Sequence, residues 1–265
     1  MPDHWFNGDP WTLDSVIEEN KKAREAMGLR TARDIEKEME ASPTFRVGDL
    51  GFYNKSIYVG VDLGKKADYS ALIFAEPFYP RVQALQSLVG GRRLVYHVSR
   101  VKRIERETPY PVIARLLKKA HKQLLKNKDF DYVYYCIDEG GVGAGVTDQV
   151  VELIPDADVY RCTLTGGVNA NWKTARDVSI PKPQMASTLI ALFESNRIFI
   201  GKDDNAAQVK SLRDELLNYE LKVSQAGHDQ YGAMKTGEHD DIVTAIGLAL
   251  WVAEDSGGGS TPMIW

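Results

Sequence analysis

The sequence contains few of the features expected of a secreted or membrane protein. Only two cysteines, Cys136 and Cys162, occur among 265 residues, and neither belongs to a CxxC pair. Both lie in apolar, strand-like runs, so we expect reduced thiols inside the core. No apolar run reaches the roughly 20 residues that a membrane-spanning helix needs. The N-terminus also has neither the basic region nor the apolar region of a signal peptide. We therefore expect an intracellular protein with no membrane partner.

An excess of positive charge is also missing. The formal net charge is -4, so the overall charge does not indicate a nucleic-acid-binding protein. The total does not describe the charge at any one place on the surface, however, and an acidic metal site would itself add negative charge. What is present is an ordinary globular composition, with 43% hydrophobic and 26% charged residues. The length suits one large domain, or one domain with an appendage.

The sequence divides into three parts of different character. Residues 1–55 contain two charged, helix-like segments with few apolar residues, which indicates a helical arm or linker. Residues 56–254 carry the apolar periodicity of a folded domain. Residues 255–265 have the Gly/Ser composition of a flexible tail.

Apolar patterns in the central part predict strands and helices in a defined order. Three strands come first, and after them helices alternate with further strands. Three strands joined by short turns indicate an antiparallel meander, and strands separated by helices indicate parallel additions to the same sheet. We predict an α/β fold with a mixed β-sheet and helices on both faces. The predicted strands are 57–63, 70–77, 93–104, 131–138 and 158–164, and the predicted helices are 110–127, 143–153, 183–196, 206–218 (running into a strand) and 240–254.

Carboxylates occur at the ends of three of these elements. Asp62 ends the first strand, Asp138 ends the fourth, and Asp240 and Asp241 begin the last helix. If the first and fourth strands are parallel neighbours, their carboxyl ends meet at one edge of the sheet, where sites form in open α/β folds. Oxygen ligands of this kind suit Mg²⁺ or Mn²⁺ and are a poor match for Zn²⁺. Two such ions about 3.5–4 Å apart can support phosphodiester cleavage.

Each of these acids also has a simpler interpretation. Asp62 before Gly64 suits a turn, Asp138 suits a helix cap, and the acids at 240–241 complement a helix dipole. The three positions together favour a metal site. Asp241 lies one turn before Ala245 on the apolar helix face, so we expect it, rather than Asp240, to point squarely into the pocket.

Other polar residues near these acids are given simpler roles. Glu139 should point to the opposite face of the strand from Asp138. We interpret Asp68 as a turn residue. For His239 a role as a metal ligand or phosphate contact stays open, but an exposed turn histidine is the simpler interpretation, and His228 has no stronger case.

Three motifs carry a resemblance to a known family. They are "GVDLG" with Asp62, "IDEGGVG" with Asp138, and "GEHDDIVTAIGLAL" with Asp240 and Asp241. Over about residues 56–254 the sequence resembles the nuclease domain of viral terminase large subunits of the tailed-bacteriophage type. That family has the ribonuclease H-like fold.

The resemblance implies a function and a set of partners. Asp62, Asp138 and Asp241 would be the catalytic metal-binding acids, with Asp240 as a further ligand, and the cofactor would be two ions of Mg²⁺ or Mn²⁺. The implied activity is cleavage of double-stranded DNA during viral genome packaging, in the host cytoplasm. The implied partners are a packaging ATPase domain, a small terminase subunit and a portal. The phosphate-loop pattern GxxxxGK[ST] does not occur in this sequence, so we do not expect this chain to package DNA by itself.

Basic residues near the acids are candidates for contact with the DNA backbone. Lys65 and Lys66 follow Asp62, and Lys173, Arg176 and Lys182 lie in a segment with the composition of a mobile surface loop. For any one of these residues, an ordinary solvated charge is the simpler interpretation. Residues 224–236 are interpreted as a hairpin flap over the site.

Three other functions stay open at the level of sequence. A Holliday-junction resolvase would have the same fold and acids. An actin-like ATPase of related fold also places an Asp-x-Gly after a strand, but it would need a second phosphate loop. A non-enzymatic assembly module would use the acids only as caps.

Overall fold

The computed structural model describes residues 51–256 apart from 54, 65–67, 82, 127–129, 141–142, 201–205, 224–228 and 234–239. The predicted arm (1–55), except for its last few residues, and nearly all of the predicted tail (255–265) lie outside the described residues. The predicted boundaries of these two parts therefore stay predictions.

The described residues form helices and strands close to those predicted from the sequence. The strands are β1 (Gly51–Tyr53), β2 (Ser56–Asp62), β3 (Ser70–Pro80), β4 (Val95–Ile104), β5 (Tyr132–Asp138), β6 (Asp158–Thr165), β7 (Asn171–Thr174), β8 (Asp177–Pro181), β9 (Ile198–Ile200), β10 (Tyr219–Val223) and β11 (Asp229–Ala233). The helices are α1 (Gln83–Leu88), α2 (Tyr110–Lys126), α3 (Gly143–Leu153), α4 (Lys182–Glu194), α5 (Ala206–Asn218) and α6 (Asp241–Asp255).

A mixed sheet forms the centre of the fold. Within the described residues its strand order is β7-β8-β6-β5-β2-β3-β4-β9, with β1 paired to β3. Strands β2, β3 and β4 form an antiparallel meander. Strand β5 pairs in parallel with β2, and β6 pairs in parallel with β5. The predicted meander and the parallel additions are thus confirmed, and the strands that end in Asp62 and Asp138 are parallel neighbours.

Helices cover both faces of the sheet, as predicted. On one face, α2 and α3 bury apolar residues such as Leu117 and Val150 against β2 and β5. On the other face, α4, α5 and α6 pack against the sheet. Helix α6 is apolar on all sides, and from Asp241 to Ala253 every residue is buried. This is the pattern of a central helix and not of a surface one.

Two parts of the fold differ from the sequence-based prediction. Most of the segment predicted as a mobile loop, 165–184, forms the antiparallel hairpin β7–β8, which closes one edge of the sheet. Helix α1 and strand β9 were not predicted, since each is short and lies beside longer elements. The hairpin predicted near residues 224–236 exists as β10–β11, with Val223 paired to Asp229. Its predicted role as a flap stays a prediction.

Candidate functional site

The acids at the ends of β2 and β5 and at the start of α6 line one cleft. Asp62 is the last residue of β2, Asp138 is the last residue of β5, and Asp241 is the first residue of α6. Because β2 and β5 are parallel neighbours, their carboxyl ends open on the same edge of the sheet. The cleft has a volume of about 420 Å³. It is lined by Asp62, Leu63, Gly64, Asp68, Asp138, Gly140, Leu164, Lys182, Asp240, Asp241 and Thr244.

The turn after Asp62 is held close to the start of β3. The backbone N–H of Gly64 donates to Ser70 Oγ at 3.0 Å, and Tyr110 Oη donates to the Gly64 carbonyl at 3.1 Å. A Cβ atom on Gly64 would lie 2.2 Å from the carbonyl oxygen of Tyr69, so only glycine fits. The close approach brings Asp68 back to the cleft that Asp62 lines.

Asp138 is fixed by the backbone that follows it. The N–H of Gly140 donates to Asp138 Oδ1 at 2.8 Å, which orients the carboxylate. The next residue, Glu139, instead pairs with Arg161 at 2.9 Å and does not line the cleft. The prediction that Glu139 points away from Asp138 is therefore confirmed.

Close packing of α6 on β2 places the third group of acids. A Cβ atom on Gly60 would lie 1.8 Å from the carbonyl oxygen of Ala245, so the absence of a side chain lets the helix rest on the strand. Asp241 is buried with 6% of its surface exposed, whereas Asp240 is partly exposed. Both acids line the cleft, and Asp241 is the more enclosed of the two. The expectation that Asp241 is the main ligand stays a prediction.

Mutual repulsion marks the carboxylates as a cluster. Asp62 faces the cleft but is enclosed by protein on its other sides. This burial, followed by the charges of Asp138, Asp241 and Asp240, raises the pKa of Asp62 well above its usual value, against the opposing effect of Lys182.

The pKa values of Asp138, at the end of β5, and of Asp241, at the start of α6, are also raised. Burial raises the pKa of Asp138, although hydrogen bonds from the Gly140 and Leu164 backbone and the charge of Lys182 oppose the change. Burial also raises the pKa of Asp241 to about 7, with Arg103 and Arg106 opposing it.

The donor set of the cleft is composed of carboxylate oxygens, which fits a hard divalent cation better than Zn²⁺. In the described part of the chain, no three His, Cys, Asp or Glu side chains already form a set of metal ligands. The acids share one open cleft, and the charges of Asp138, Asp241 and Asp240 all act on Asp62.

The predicted basic residues separate into three groups. Lys182, the first residue of α4, lines the cleft. Lys173 pairs with Asp177 at 3.5 Å. Arg176 pairs with Asp158 at the start of β6, at the opposite end of the sheet from the acids. Neither Lys173 nor Arg176 lines the cleft. Lys65 and Lys66 lie outside the described residues, as do His228 and His239. A role in DNA binding for any of the five basic residues stays a prediction.

Three residues at or near the cleft were not predicted as site residues from the sequence. Asp68 was interpreted as a turn residue, and its position six residues after Asp62 was the available signal. Arg103 and Glu215 form an ion pair beside Asp241. No sequence signal marks that pair, because its members lie on β4 and α5, far apart along the chain.

Comparisons with known proteins identify similar folds among solved structures. No family model matches the sequence, and a comparison with curated proteins finds no match either. Solved structures do match. The human cytomegalovirus terminase nuclease domain, soaked with manganese, aligns with a TM-score of 0.50 and 10% identity, covering 81% of this chain and 89% of that one.

Two bacteriophage proteins give similar matches. The large terminase nuclease of thermophilic phage G20c with bound cobalt has a TM-score of 0.48 and 19% identity, over 74% of this chain and 80% of that one. A mutant nuclease domain of the large terminase subunit of bacterial virus Sf6, with manganese and beta-thujaplicinol, has a TM-score of 0.47 and 12% identity, over 89% and 95%.

The fold is thus the ribonuclease H-like α/β fold of terminase nuclease domains, as the three motifs predicted. At these identities the likeness concerns the fold alone. The chemistry of this chain has to be argued from its own cleft.

Proposed function

We propose that this protein is a divalent-metal-dependent endonuclease that cleaves duplex DNA, as the nuclease part of a viral terminase. One observation carries the proposal: acids from β2, β5 and α6, which are far apart along the chain, line a single cleft. A structural role explains one capping acid, but it does not explain four mutually repelling acids in one place. Manganese or cobalt in terminase nuclease structures of the same fold supports the choice of cofactor.

Each residue of the cleft has a distinct part in the proposed mechanism. Asp62, Asp138 and Asp241 would hold two ions of Mg²⁺ or Mn²⁺, with Asp240 and Asp68 as outer ligands. When bound, such ions activate water and stabilise the leaving oxygen in phosphodiester hydrolysis. Among the described residues that line the cleft, Lys182 supplies positive charge and would contact a phosphate of the DNA backbone, which orients the scissile bond. No described element reads base edges, so we expect little sequence specificity.

The cellular setting follows from the same proposal. A packaging ATPase, a small terminase subunit and a portal would bring DNA to this nuclease, in the cytoplasm of an infected host cell. No helix among the described residues is long and apolar enough to cross a membrane.

Cleavage of supercoiled plasmid tests the proposal. We expect nicked and linear products with Mg²⁺ or Mn²⁺, no products with excess EDTA, and a loss of more than about 100-fold for Asp138→Asn, a scale typical of losing a group that stabilises transition-state charge. The exposed Asp131→Asn is a matched control and should cleave normally. Activity that survives EDTA would contradict the proposal. A strong preference for four-way junctions, or ATP hydrolysis without DNA cleavage, would favour the alternative functions.

A further inference from the structure

A buried ion pair lies directly behind the acid at the start of α6. Glu215, on α5, is 7% exposed, and its Oε2 accepts hydrogen bonds from the backbone N–H groups of Ile242 at 2.8 Å and Val243 at 3.1 Å. These N–H groups belong to the first turn of α6, where a helix leaves its donors without partners of its own. Glu215 is therefore the cap of α6, supplied by another helix.

The same carboxylate also binds a cation. Glu215 Oε1 forms an ion pair with Arg103 Nη2, on β4. That Nη2 atom is 3.8 Å from Asp241 Oδ2, which is farther than its contact with Glu215. Arg103 thus lies between two carboxylates. One of them is a cap, and the other faces the cleft.

Stacking on the ring of Tyr69 also helps to fix the position of Arg103. Its guanidinium group lies 4.8 Å from the centre of the Tyr69 ring, and the guanidinium of Arg106 lies 4.4 Å from the same ring. Tyr69 directly follows Asp68, so this stack joins the turn after β2 to β4. The guanidinium is consequently held where its charge competes with any cation for Asp241.

We propose that Glu215 is a positioning residue for the metal site: it caps α6 and holds the charge of Arg103 away from Asp241. This inference rests on the proposed function. Neutralising Glu215 would remove the carboxylate that Arg103 Nη2 contacts more closely than Asp241, and the guanidinium, 3.8 Å from Asp241 Oδ2, would then engage Asp241 in place of the metal. An arginine that forms a charged hydrogen bond to a carboxylate binds it strongly. Removing Arg103 as well would release Asp241 again.

Another arginine–glutamate pair at the far end of α6 provides a matched control. Arg197 Nη1 and Nη2 donate to Glu254 Oε2 and Oε1 at 2.8 and 2.6 Å. Glu254 is in the last turn of α6, about 20 Å along the helix from Asp241 at 1.5 Å per residue. Glu254→Gln makes the same chemical change as Glu215→Gln and acts on the same helix, but it does not touch the cleft.

The experiment is a Mn²⁺ titration by calorimetry of the wild type and four variants, with melting temperatures in EDTA to check folding. We expect Glu215→Gln to weaken Mn²⁺ binding about 10-fold, equivalent to about 1.4 kcal/mol. Glu254→Gln should bind within about 2-fold of the wild type, well below the tenfold that 1.4 kcal/mol represents. Arg103→Gln alone should not weaken binding. Arg103→Gln combined with Glu215→Gln should restore most of the loss, which a merely structural role of Glu215 would not allow.

Each outcome decides one of the two proposals. Wild-type protein that binds no Mn²⁺ overturns the proposed function and this inference with it. Normal wild-type binding overturns only the inference if Glu215→Gln also binds normally, or if the double variant binds no better than Glu215→Gln. If Glu215→Gln does not fold, Arg103→Gln decides: weakened Mn²⁺ binding by that variant would overturn the inference.

Discussion

At the scale of single residues, several acids are buried in positions where a negative charge is unfavourable. Asp62 and Asp138 end strands whose other residues are mostly apolar and buried, and Asp241 is buried at the start of an apolar helix. Burial raises the pKa values of all three, and the charges of Asp138, Asp241 and Asp240 add to the rise at Asp62. Residues that cost stability in this way are typical of a functional site.

The first prediction is that replacing Asp62 by Asn stabilises the protein when no metal is present. Removal of a buried charge that faces other acids relieves repulsion, and about 1 kcal/mol corresponds to a rise of about 2–4 °C in melting temperature for a domain of this size. Melting curves in EDTA provide the measurement, with the exposed Asp131→Asn as the control that should leave the curve unchanged. A fall of several degrees for Asp62→Asn would indicate a structural cap instead.

The second prediction concerns pH. Asp241 has a pKa raised from 3.8 to about 7, so the folded protein binds more protons than the unfolded chain between these values. Stability must then fall as pH rises through this window. Asp62 and Asp138 act in the same direction, whereas Arg103, Arg106 and Lys182 oppose it. In EDTA we expect a lower melting temperature at pH 8 than at pH 5.

Two additions make that experiment specific to the cleft. Mn²⁺ should raise the melting temperature more at pH 8 than at pH 5, because deprotonated carboxylates are the ligands. Asp241→Asn should flatten the pH dependence in EDTA. A melting temperature that rises steadily from pH 5 to pH 8 in EDTA, with the same slope in Asp241→Asn, would contradict the assignment.

The third prediction separates the two adjacent acids of α6. Asp241 is buried on the helix face that packs on the sheet, and Asp240 is partly exposed. Asp241→Asn should therefore reduce the cleavage rate more than Asp240→Asn, and the difference should be larger in Mg²⁺, which requires stricter octahedral geometry than larger cations. Rates for both variants in both metals provide the test. The roles would have to be exchanged if Asp240→Asn were the more damaging change in each metal.

At the scale of elements, the contact between α6 and β2 sets the distance between Asp241 and Asp62. This contact depends on Gly60, whose position allows the backbone of Ala245 to approach directly. The helix and the strand carry one acid each, so a displacement of α6 would separate the acids.

The fourth prediction follows from this contact. Gly60→Ala should destabilise the protein by about 3 kcal/mol or more, the upper part of the range for overpacking, and should reduce cleavage. Gly145→Ala is the matched control, since a Cβ atom there meets no atom within 4 Å and the residue lies in α3. Denaturant unfolding of both variants provides the measurement. If both variants were equally stable, the proposed role of the close approach would be wrong.

The sequence predicted those elements whose pattern is local. Helix α3 was predicted at its observed bounds, because its apolar spacing is a local pattern within eleven residues. The hairpin β7–β8 was predicted as a loop because its segment contains many polar residues. Its strands form through pairing with each other and with β6, which the local sequence does not indicate. Glu215 was not recognised as the cap of α6, because it lies 27 residues before Ile242, whose backbone N–H donates a hydrogen bond to it. Contacts of this kind depend on tertiary packing and leave no periodic signal.

At the scale of the whole molecule, the sheet brings together residues that the sequence separates. The parallel pairing of β2 with β5 places Asp62 beside Asp138, and the last helix adds Asp240 and Asp241 from the end of the domain. If the proposed function is right, the net charge of -4 requires DNA to approach through local positive charge, and Lys182 is the basic residue among the described residues that line the cleft. The central claim is that this cleft exists to bind divalent metal.

Crystals soaked in Mn²⁺ test that claim most directly, through anomalous diffraction at the manganese edge. We predict anomalous density between the carboxylates of Asp62, Asp138 and Asp241, with oxygen ligands at about 2.0–2.6 Å as for other hard divalent cations. The density should disappear in crystals of Asp138→Asn. Manganese bound only outside the cleft, in crystals whose cleft is open to solvent, would contradict the account.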